Sequence, residues 1–364
     1  MIKNNMKTLE IGELKATLPI IQGGMGIGVS MSGLASAVAN EGGIGVISAA
    51  CVGMFENRTQ KDTEEANMEG LRKEIKLAKK KSKGIIGVNI MGVLTNFKDM
   101  VVTAIAEKID IIFAGAGLPL DLPKYLIEKV KTKLIPIVSS ARAALIIAKR
   151  WIEKFNYIPD GFVVEGPLAG GHLGFKIDEI DDEKNSLENI LVEVLAAIKP
   201  IEEKYNKKIP IIVGGGIYTG EDIYKFMKKG AAGVQMATRF VTTDECDASA
   251  AFKQTYIDCK KEDIEIIESP VGLPGRAIRN EYIEQTRLGN KKPFKCPYHC
   301  ITTCKKEESP YCISLALLNA QKGILKNGFA FAGVNAYRAT KIISVKELVN
   351  NIHEEYNQAL ENDK

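Results

Sequence analysis

Residues 209–240 read IPIIVGGGIYTGEDIYKFMKKGAAGVQMATRF, and the order of textures in this stretch decides the fold. A β-branched run, Ile209–Gly214, opens into the triplet Gly214-Gly215-Gly216. An amphipathic stretch, Thr219–Lys229, follows. Thr219 and, three residues on, Asp222 form an acidic capping box at its start, and Gly230 lies just past its end, where left-handed backbone is favoured. A second apolar run, Gly233–Thr238, comes next. Strand, helix and strand in about thirty residues make a parallel crossover unit.

Outward from this unit the same texture recurs. Earlier apolar runs lie at Pro19–Gly23, Gly43–Ser48, Ile85–Ile90, Ile109–Ala114, Leu134–Ser139 and Gly161–Glu165. All are continuously apolar, the pattern of parallel strands covered on both faces. Helical patterns separate them at Ser32–Asn40, Asp62–Lys81, Phe97–Lys108, Leu122–Lys131, Ala141–Phe155 and Glu183–Tyr205, with a last one from about Asp247 to Cys259. Ser30 or Ser32 is the expected cap of the first. Eight strand–helix units predict an α/β fold, a (β/α)8 TIM barrel, over residues 1–262. An open doubly wound sheet is the alternative. It would carry a dinucleotide fingerprint after its first strand, and none is present.

Residues 263–364 read as a C-terminal extension of different character. Ser269–Asn280 (SPVGLPGRAIRN) predicts a structured loop or an element re-entering the barrel mouth. Cysteines crowd Cys296–Cys312, an apolar helix runs from about Ile313 to Lys322, and a terminal helix from Ser344 to Lys364.

The chain has 364 residues, 45% hydrophobic and 26% charged, with 49 basic against 45 acidic residues. That balance argues against a nucleic-acid partner, and Lys79, Lys80, Lys81 and Lys83 read as the solvated end of one helix. No apolar run reaches the ~18 residues of a membrane span, and the start lacks the apolar stretch of a secretory signal. A cytoplasmic location and a small-molecule partner are expected, and a homodimer is compatible with the composition.

In such a barrel the chemistry sits just after the strands. The loops after strands seven and eight are a frequent phosphate site, and here they hold Gly214, Gly215 and Gly216 and then Gln235, Met236, Ala237 and Thr238. Bare glycine backbone lets amides approach an anion. After strand one, Gly23, Gly24 and Met25 make a ledge suited to a flat ring, with Asn89 after strand three placed to hydrogen-bond its edge. A phosphate grip opposite a flat-ring ledge points to flavin mononucleotide (FMN). Among three histidines, His353 is expected to be solvated and His299 falls in the cysteine segment. His172, after Ala169-Gly170-Gly171, faces the predicted mouth and is the candidate catalytic acid/base.

These residues resemble the nitronate monooxygenase (2-nitropropane dioxygenase) family of FMN-dependent barrels. The matching stretches are PIIQGGMGIGVS, GGIGVIS, GVNIM, EGPLAGGHLGF, IPIIVGGGI, AAGVQMATRF and SPVGLPGRAI. The resemblance implies FMN held by Gly23–Met25, Asn89, Gly171, Gly214–Gly216 and Gln235–Thr238, with His172 as the active-site histidine. It further implies oxidation of alkyl nitronates by dioxygen to carbonyl compounds and nitrite. The related flavin-dependent enoyl-ACP reductases and quinone reductases use NAD(P)H instead. The enoyl reductases carry an acidic residue shortly before Gly-Gly-His, where this chain has Gly166-Pro167-Leu168-Ala169, and no basic patch for an acyl-carrier protein stands out.

Cys296, Cys300, Cys304 and Cys312 follow a C-x3-C-x3-C-x7-C spacing. A zinc site usually shows closely paired cysteines, whereas an iron–sulfur cluster accepts varied spacings. The four are candidate metal ligands, with structural thiols as the alternative. A cluster there would relay electrons to FMN and favour a reductase, or a flavin/iron–sulfur regulatory protein without turnover.

Overall fold

The computed structural model describes residues 5–55, 63–127, 130–296 and 298–364. Its first element was not foreseen. Leu9–Ile11 (β1) and Leu14–Ala16 (β2) pair antiparallel around Gly12, whose φ is +58°. The alternation of Leu9 and Ile11 with polar neighbours is the strand signal that was overlooked. Leu9, Ile11 and Ala16 pack with Ile21, Ile44, Ile111, Ile135 and Ile212, so the hairpin plugs one end of the barrel.

Six parallel strands follow: Ile20–Gln22 (β3), Ile44–Ser48 (β4), Ile85–Met91 (β5), Ile111–Gly115 (β6), Lys133–Val138 (β7) and Phe162–Glu165 (β8). After the two-residue strand Gly171–His172 (β9) come Ile211–Gly214 (β10) and Gly233–Met236 (β11). The ring closes in the order β10-β11-β3-β4-β5-β6-β7-β8. All eight expected strands are present and parallel, and ring closure rules out the open sheet. Every residue of β4, β6 and β10 is buried, as continuous apolar runs require.

The outer layer contains Ser32–Asn40 (α1), Thr63–Lys81 (α2), Phe97–Ala106 (α3), Ala141–Phe155 (α4), Leu187–Tyr205 (α5), Gly220–Lys228 (α6), Thr238–Val241 (α7) and Ala250–Asp258 (α8). The helix expected over Leu122–Lys131 is reduced to one 3-10 turn, Leu122–Tyr125. Pro123 and the capping carbonyls satisfy only a single turn there, and Glu128 and Lys129 lie outside the described residues, as does Asp62 of the second expected helix. Neither Ser30 nor Ser32 caps α1. Its first amides, from Met31, Gly33 and Leu34, donate to the Asp247 carboxylate, and that of Ser32 to Glu74. The Thr219–Asp222 capping box and the left-handed Gly230 (φ +103°) are both present. Lys79 does not stand free in water. Its Nζ donates to the carbonyls of Glu107 and Lys108, closing the end of α3.

The C-terminal residues continue the same body. Ile264–Ile267 (β12) and Gly275–Ile278 (β13) pair antiparallel, and β13 also pairs with β9, Gly275 opposite His172 and Arg276 opposite Gly171. SPVGLPGRAIRN thus re-enters the mouth, as its glycines and prolines suggested. Glu281–Arg287 (α9), Ile313–Gln321 (α10) and Val345–Asn362 (α11) complete the chain. Ser344 caps α11 through the Glu347 amide. The helix docks by the Glu355 carboxylate, which takes both terminal nitrogens of Arg239 (2.8 and 2.9 Å) and the Gly220 amide (2.7 Å). His353 is half-buried on α11 and not solvated as expected, and burial holds its imidazole below the ordinary range. No helix among the described residues is long and apolar enough to cross a membrane.

Candidate active site

The C-terminal ends of the barrel strands open on a two-lobed cavity. The wide lobe, about 240 Å³, is walled by Gly23, Gly24, Met25, Asn89, Glu165, Gly171, His172, Gln235, Ala237 and Thr238 from the barrel. Leu317, Phe331 and Ala332 close it from the C-terminal residues. The narrow lobe, about 60 Å³, shares Glu165, Gly170, Gln235, Ala237 and Thr238 and adds Gly215, Gly216, Met236 and Gly333–Asn335. Of the expected flavin-binding and catalytic residues only Gly214, the last residue of β10, stands outside both walls, and the four candidate metal-ligating cysteines line neither lobe.

The ledge after β3 forms for identifiable reasons. Gln22, fully buried, accepts from the Val46 amide and donates to the Gly23 carbonyl, so the strand end is pinned to β4. Ser30, free of the capping role, accepts from the Met25 amide at 2.8 Å and fixes the turn. Gly24 lies so close to Asn89 that a Cβ there would come within 2.4 Å of the Asn89 Cβ. Ledge and amide are therefore one surface.

The narrow lobe is built on the glycine triplet. Gly215 and Gly216 hold φ of +100° and +83°, backbone that other residues adopt only at a cost. Among the described residues neither amide donates to another backbone carbonyl. From the far side Asn335 Nδ2 donates to the Gly216 carbonyl at 2.7 Å, and the Gly333 amide to Thr238 Oγ1 at 3.0 Å. Free amides around a space this narrow suit a phosphate group.

His172 is held by C-terminal residues. Its Nε2 lies 2.7 Å from Ser269 Oγ, and its ring meets Phe331 edge to face at 4.9 Å. Burial pushes its pKa down to about 4, so the imidazole is neutral at pH 7. Beside it Gly171 holds φ +77°, and a Cβ there would meet nothing within 4 Å. The main chain faces open cavity at that point. Buried Arg276 donates to the carbonyls of Pro167 and Ala169 and braces the loop that carries both.

Glu165 was missed as a site residue. It ends β8, lines both lobes, and burial raises its carboxyl to about 7. A lone acid closing an apolar strand on the active face was the available signal. Ser269, Phe331 and Gly333–Asn335 were also missed, because their nearness to the barrel comes from chain reversals that no local pattern encodes.

The four cysteines do not form a metal centre. Among the described residues no group of three or more His, Cys, Asp or Glu side chains is arranged to hold a metal ion. Cys300 pairs with Ser314 (2.8 Å) and Cys304 with Ser309 (3.2 Å). All four are free thiols, and His299, in left-handed backbone at φ +44°, is exposed.

Comparison with known proteins agrees with this geometry. The family model described as nitronate monooxygenase matches residues 7–355. A probable nitronate monooxygenase of Staphylococcus saprophyticus is 27% identical over 304 residues, 77% of this chain and 81% of that protein. The (3aS,4S,5R,7aS)-5-hydroxy-7a-methyl-1-oxo-octahydro-1H-indene-4-carboxyl-CoA dehydrogenase of Mycobacterium tuberculosis is 27% identical over 75% of this chain and 66% of its own length. Among solved structures, FabK of Thermotoga maritima superposes with a TM-score of 0.71 at 26% identity, covering 95% of this chain and 94% of that one. Nitroalkane oxidase of Streptomyces ansochromogenes shares the fold, with a TM-score of 0.71 at 20% identity over 95% and 98% of the two chains.

Proposed function

Because the chain belongs to the nitronate monooxygenase family, we propose that it is an FMN-dependent oxidoreductase that converts alkyl nitronates and dioxygen to carbonyl compounds and nitrite. The observation that carries this reading is the two-lobed cavity: a narrow end of free glycine amides joined to a wide end with a bare ledge, an amide side chain and a neutral histidine.

The residues fit the cofactor. Gly23, Gly24, Met25 and Asn89 would hold the ring, Gly171 would leave room beside it, and Gly215, Gly216 and Gln235–Thr238 would hold the phosphate. FMN, when bound, accepts electrons from a substrate and delivers them to an acceptor.

The protein's own part is positioning. With its pKa near 4, His172 is a weak base at neutral pH. A substrate already deprotonated at carbon suits it better than a neutral nitroalkane, with the imidazole donating a hydrogen bond to a nitro oxygen. Phe331, Leu317, Phe252 and Tyr256 line the wide lobe with apolar surface, which lowers the local dielectric and would strengthen that bond. Glu165, protonated below about pH 7, adds no negative charge against an anionic substrate.

A second reading is an NAD(P)H-dependent reductase of enoyl thioesters. The likeness to a carboxyl-CoA dehydrogenase supports it. The run Gly166-Pro167-Leu168-Ala169 weighs against it, because the enoyl reductases carry an acid shortly before Gly-Gly-His. Anaerobic mixing of flavin-loaded protein with ethyl nitronate or with NADPH separates the two. Bleaching by nitronate, followed by nitrite release on admitting oxygen, is expected. Bleaching by NADPH alone would overturn the oxygenase reading.

A further inference from the structure

Behind the wall of the wide lobe lie two thiols from opposite parts of the chain. Cys51 follows directly on Ala50, a wall residue, and holds a φ of +51°. Its side chain is buried with Ile27 and Leu318, and Met54, Leu317 and Cys300 pack against that group. Ile27 and Leu317 are themselves wall residues. Both sulfurs reach one hydroxyl, Ser314 Oγ, at 3.5 Å from Cys51 Sγ and 2.8 Å from Cys300 Sγ. Each thiol also shifts the ionisation of the other, Cys51 upward and Cys300 downward.

Their surroundings differ. Cys51 is 6% exposed, whereas Cys300 is only partly buried. The segment around Cys300 is fastened to the barrel. Its carbonyl accepts from the Thr95 amide, Ile301 bridges Leu94, and the Thr302 amide donates to the Val93 carbonyl. Cys304 faces elsewhere, toward Ser309. The pair is therefore asymmetric: Cys300 is the more exposed residue, and Cys51 lies beside it in an apolar pocket.

We propose that Cys300 and Cys51 form an oxidation site for hydroperoxides, with Cys300 as the attacking and Cys51 as the resolving thiol. The Cys300 sulfur attacks the terminal oxygen of the peroxide. The O–O bond breaks, the alcohol or water leaves, and Cys300 becomes a sulfenic acid, oxidised by two electrons as the peroxide is reduced by two. The Cys51 sulfur then attacks the Cys300 sulfur. The S–O bond breaks, and water leaves with the Cys51 proton. The resulting disulfide ties residues 296–312 to the turn after β4 and clamps the wall at Leu317. A free Cys300 sulfenic acid without this neighbour would oxidise further.

The test uses reduced full-length protein loaded with flavin and treated with hydrogen peroxide equimolar to protein, then alkylated and mapped by mass spectrometry without reduction. One cross-link joining the Cys51 and Cys300 peptides is expected, with the loss of two titratable thiols per chain and their recovery on adding dithiothreitol. In Cys51→Ala the cross-link vanishes, and Cys300 is trapped by dimedone as sulfenic acid at one equivalent of peroxide and is oxidised to sulfinic acid only at two or more. Cys300→Ser, altered at the more open position, keeps Cys51 reduced under the same treatment and covers the case in which Cys51→Ala folds poorly. A disulfide joining Cys300 to Cys296, Cys304 or Cys312 would overturn the proposal. So would unchanged thiol counts, or stoichiometric zinc or iron that Cys300→Ser releases.

Discussion

His172 Nε2 and Ser269 Oγ stand 2.7 Å apart, joining the loop after the sixth barrel strand to the segment that returns after the eighth. The histidine is thus aimed by the strand pairing of β9 with β13 and by the Phe331 ring as much as by its own loop. A side chain held from both sides loses few rotamers on binding, and its hydrogen bond is ready before substrate arrives.

Replacing His172 tests that role. His172→Ala is expected to keep its flavin spectrum and lose about 100-fold in kcat on preformed nitronate, within the range for one positioned polar group. Steady-state nitrite release measures it. Turnover within twofold of the parent would remove His172 from the chemistry.

Glu165 predicts a pH effect with a definite sign. Its folded pKa of about 7 is above the unfolded value of 4.5, so the folded chain binds the extra proton. Its relative stabilising effect is full below pH 4.5, is lost as pH rises through about 7, and does not change further above that. Glu165→Gln is expected to raise the denaturant midpoint of the flavin-free protein at pH 8 and leave it unchanged near pH 4.5. The same ionisation places a negative charge in the cavity. KM for nitronate should therefore rise above pH 7 in the parent and stay level in Glu165→Gln.

Gly171 is constrained by backbone and by space together. Its φ of +77° costs an alanine about 1–2 kcal/mol, and the added methyl projects into the open cavity. Gly171→Ala is expected to purify with at most a tenth of the parent's flavin per chain, read from the ratio of visible to ultraviolet absorbance. Full flavin content would show that the ring does not lie beside this residue.

Much of this arrangement was legible in the sequence because it is local. Ile209–Gly214 shows its strand and its glycines in neighbouring positions, and Thr219 with Asp222 shows its cap. What stayed hidden was long-range. Asp247 caps α1 from the neighbouring unit after β11, far off in sequence though adjacent in the ring, and a serine at position 30 or 32 is the natural guess only when the nearest side chain is the nearest in sequence. The cysteine spacing misled for the same reason: Cys51, the neighbour that matters to Cys300, is absent from the segment that drew attention. Leu122–Lys131 failed differently: the turn Leu122–Tyr125 ends where Leu126 becomes extended, its apolar period too weak to continue it.

Glu355 offers the stability test for the terminal helix. Its carboxylate meets Arg239 in a two-point bond and also takes the Gly220 amide, with Arg239 only 12% exposed. Glu355→Ala leaves a largely buried guanidinium without its counter-charge, hydrogen-bonded only to the Tyr218 carbonyl, and is expected to cost about 2–3 kcal/mol. Urea denaturation measures it, with Glu307→Ala, on the exposed Lys306 pair, as the neutral control. Equal midpoints for the two variants would show that α11 is held by its apolar face alone.

The pairing of β13 with β9, and the wall formed by Leu317, Phe331 and Ala332, carry a consequence for biogenesis. A ribosome makes Gly215 and Gly216 of the narrow lobe long before it makes the residues that roof the cavity. The nascent chain exposes a half-built bowl until Leu317, Phe331 and Ala332 have emerged, so a ligand of the wide lobe can be enclosed only once that stretch has been made.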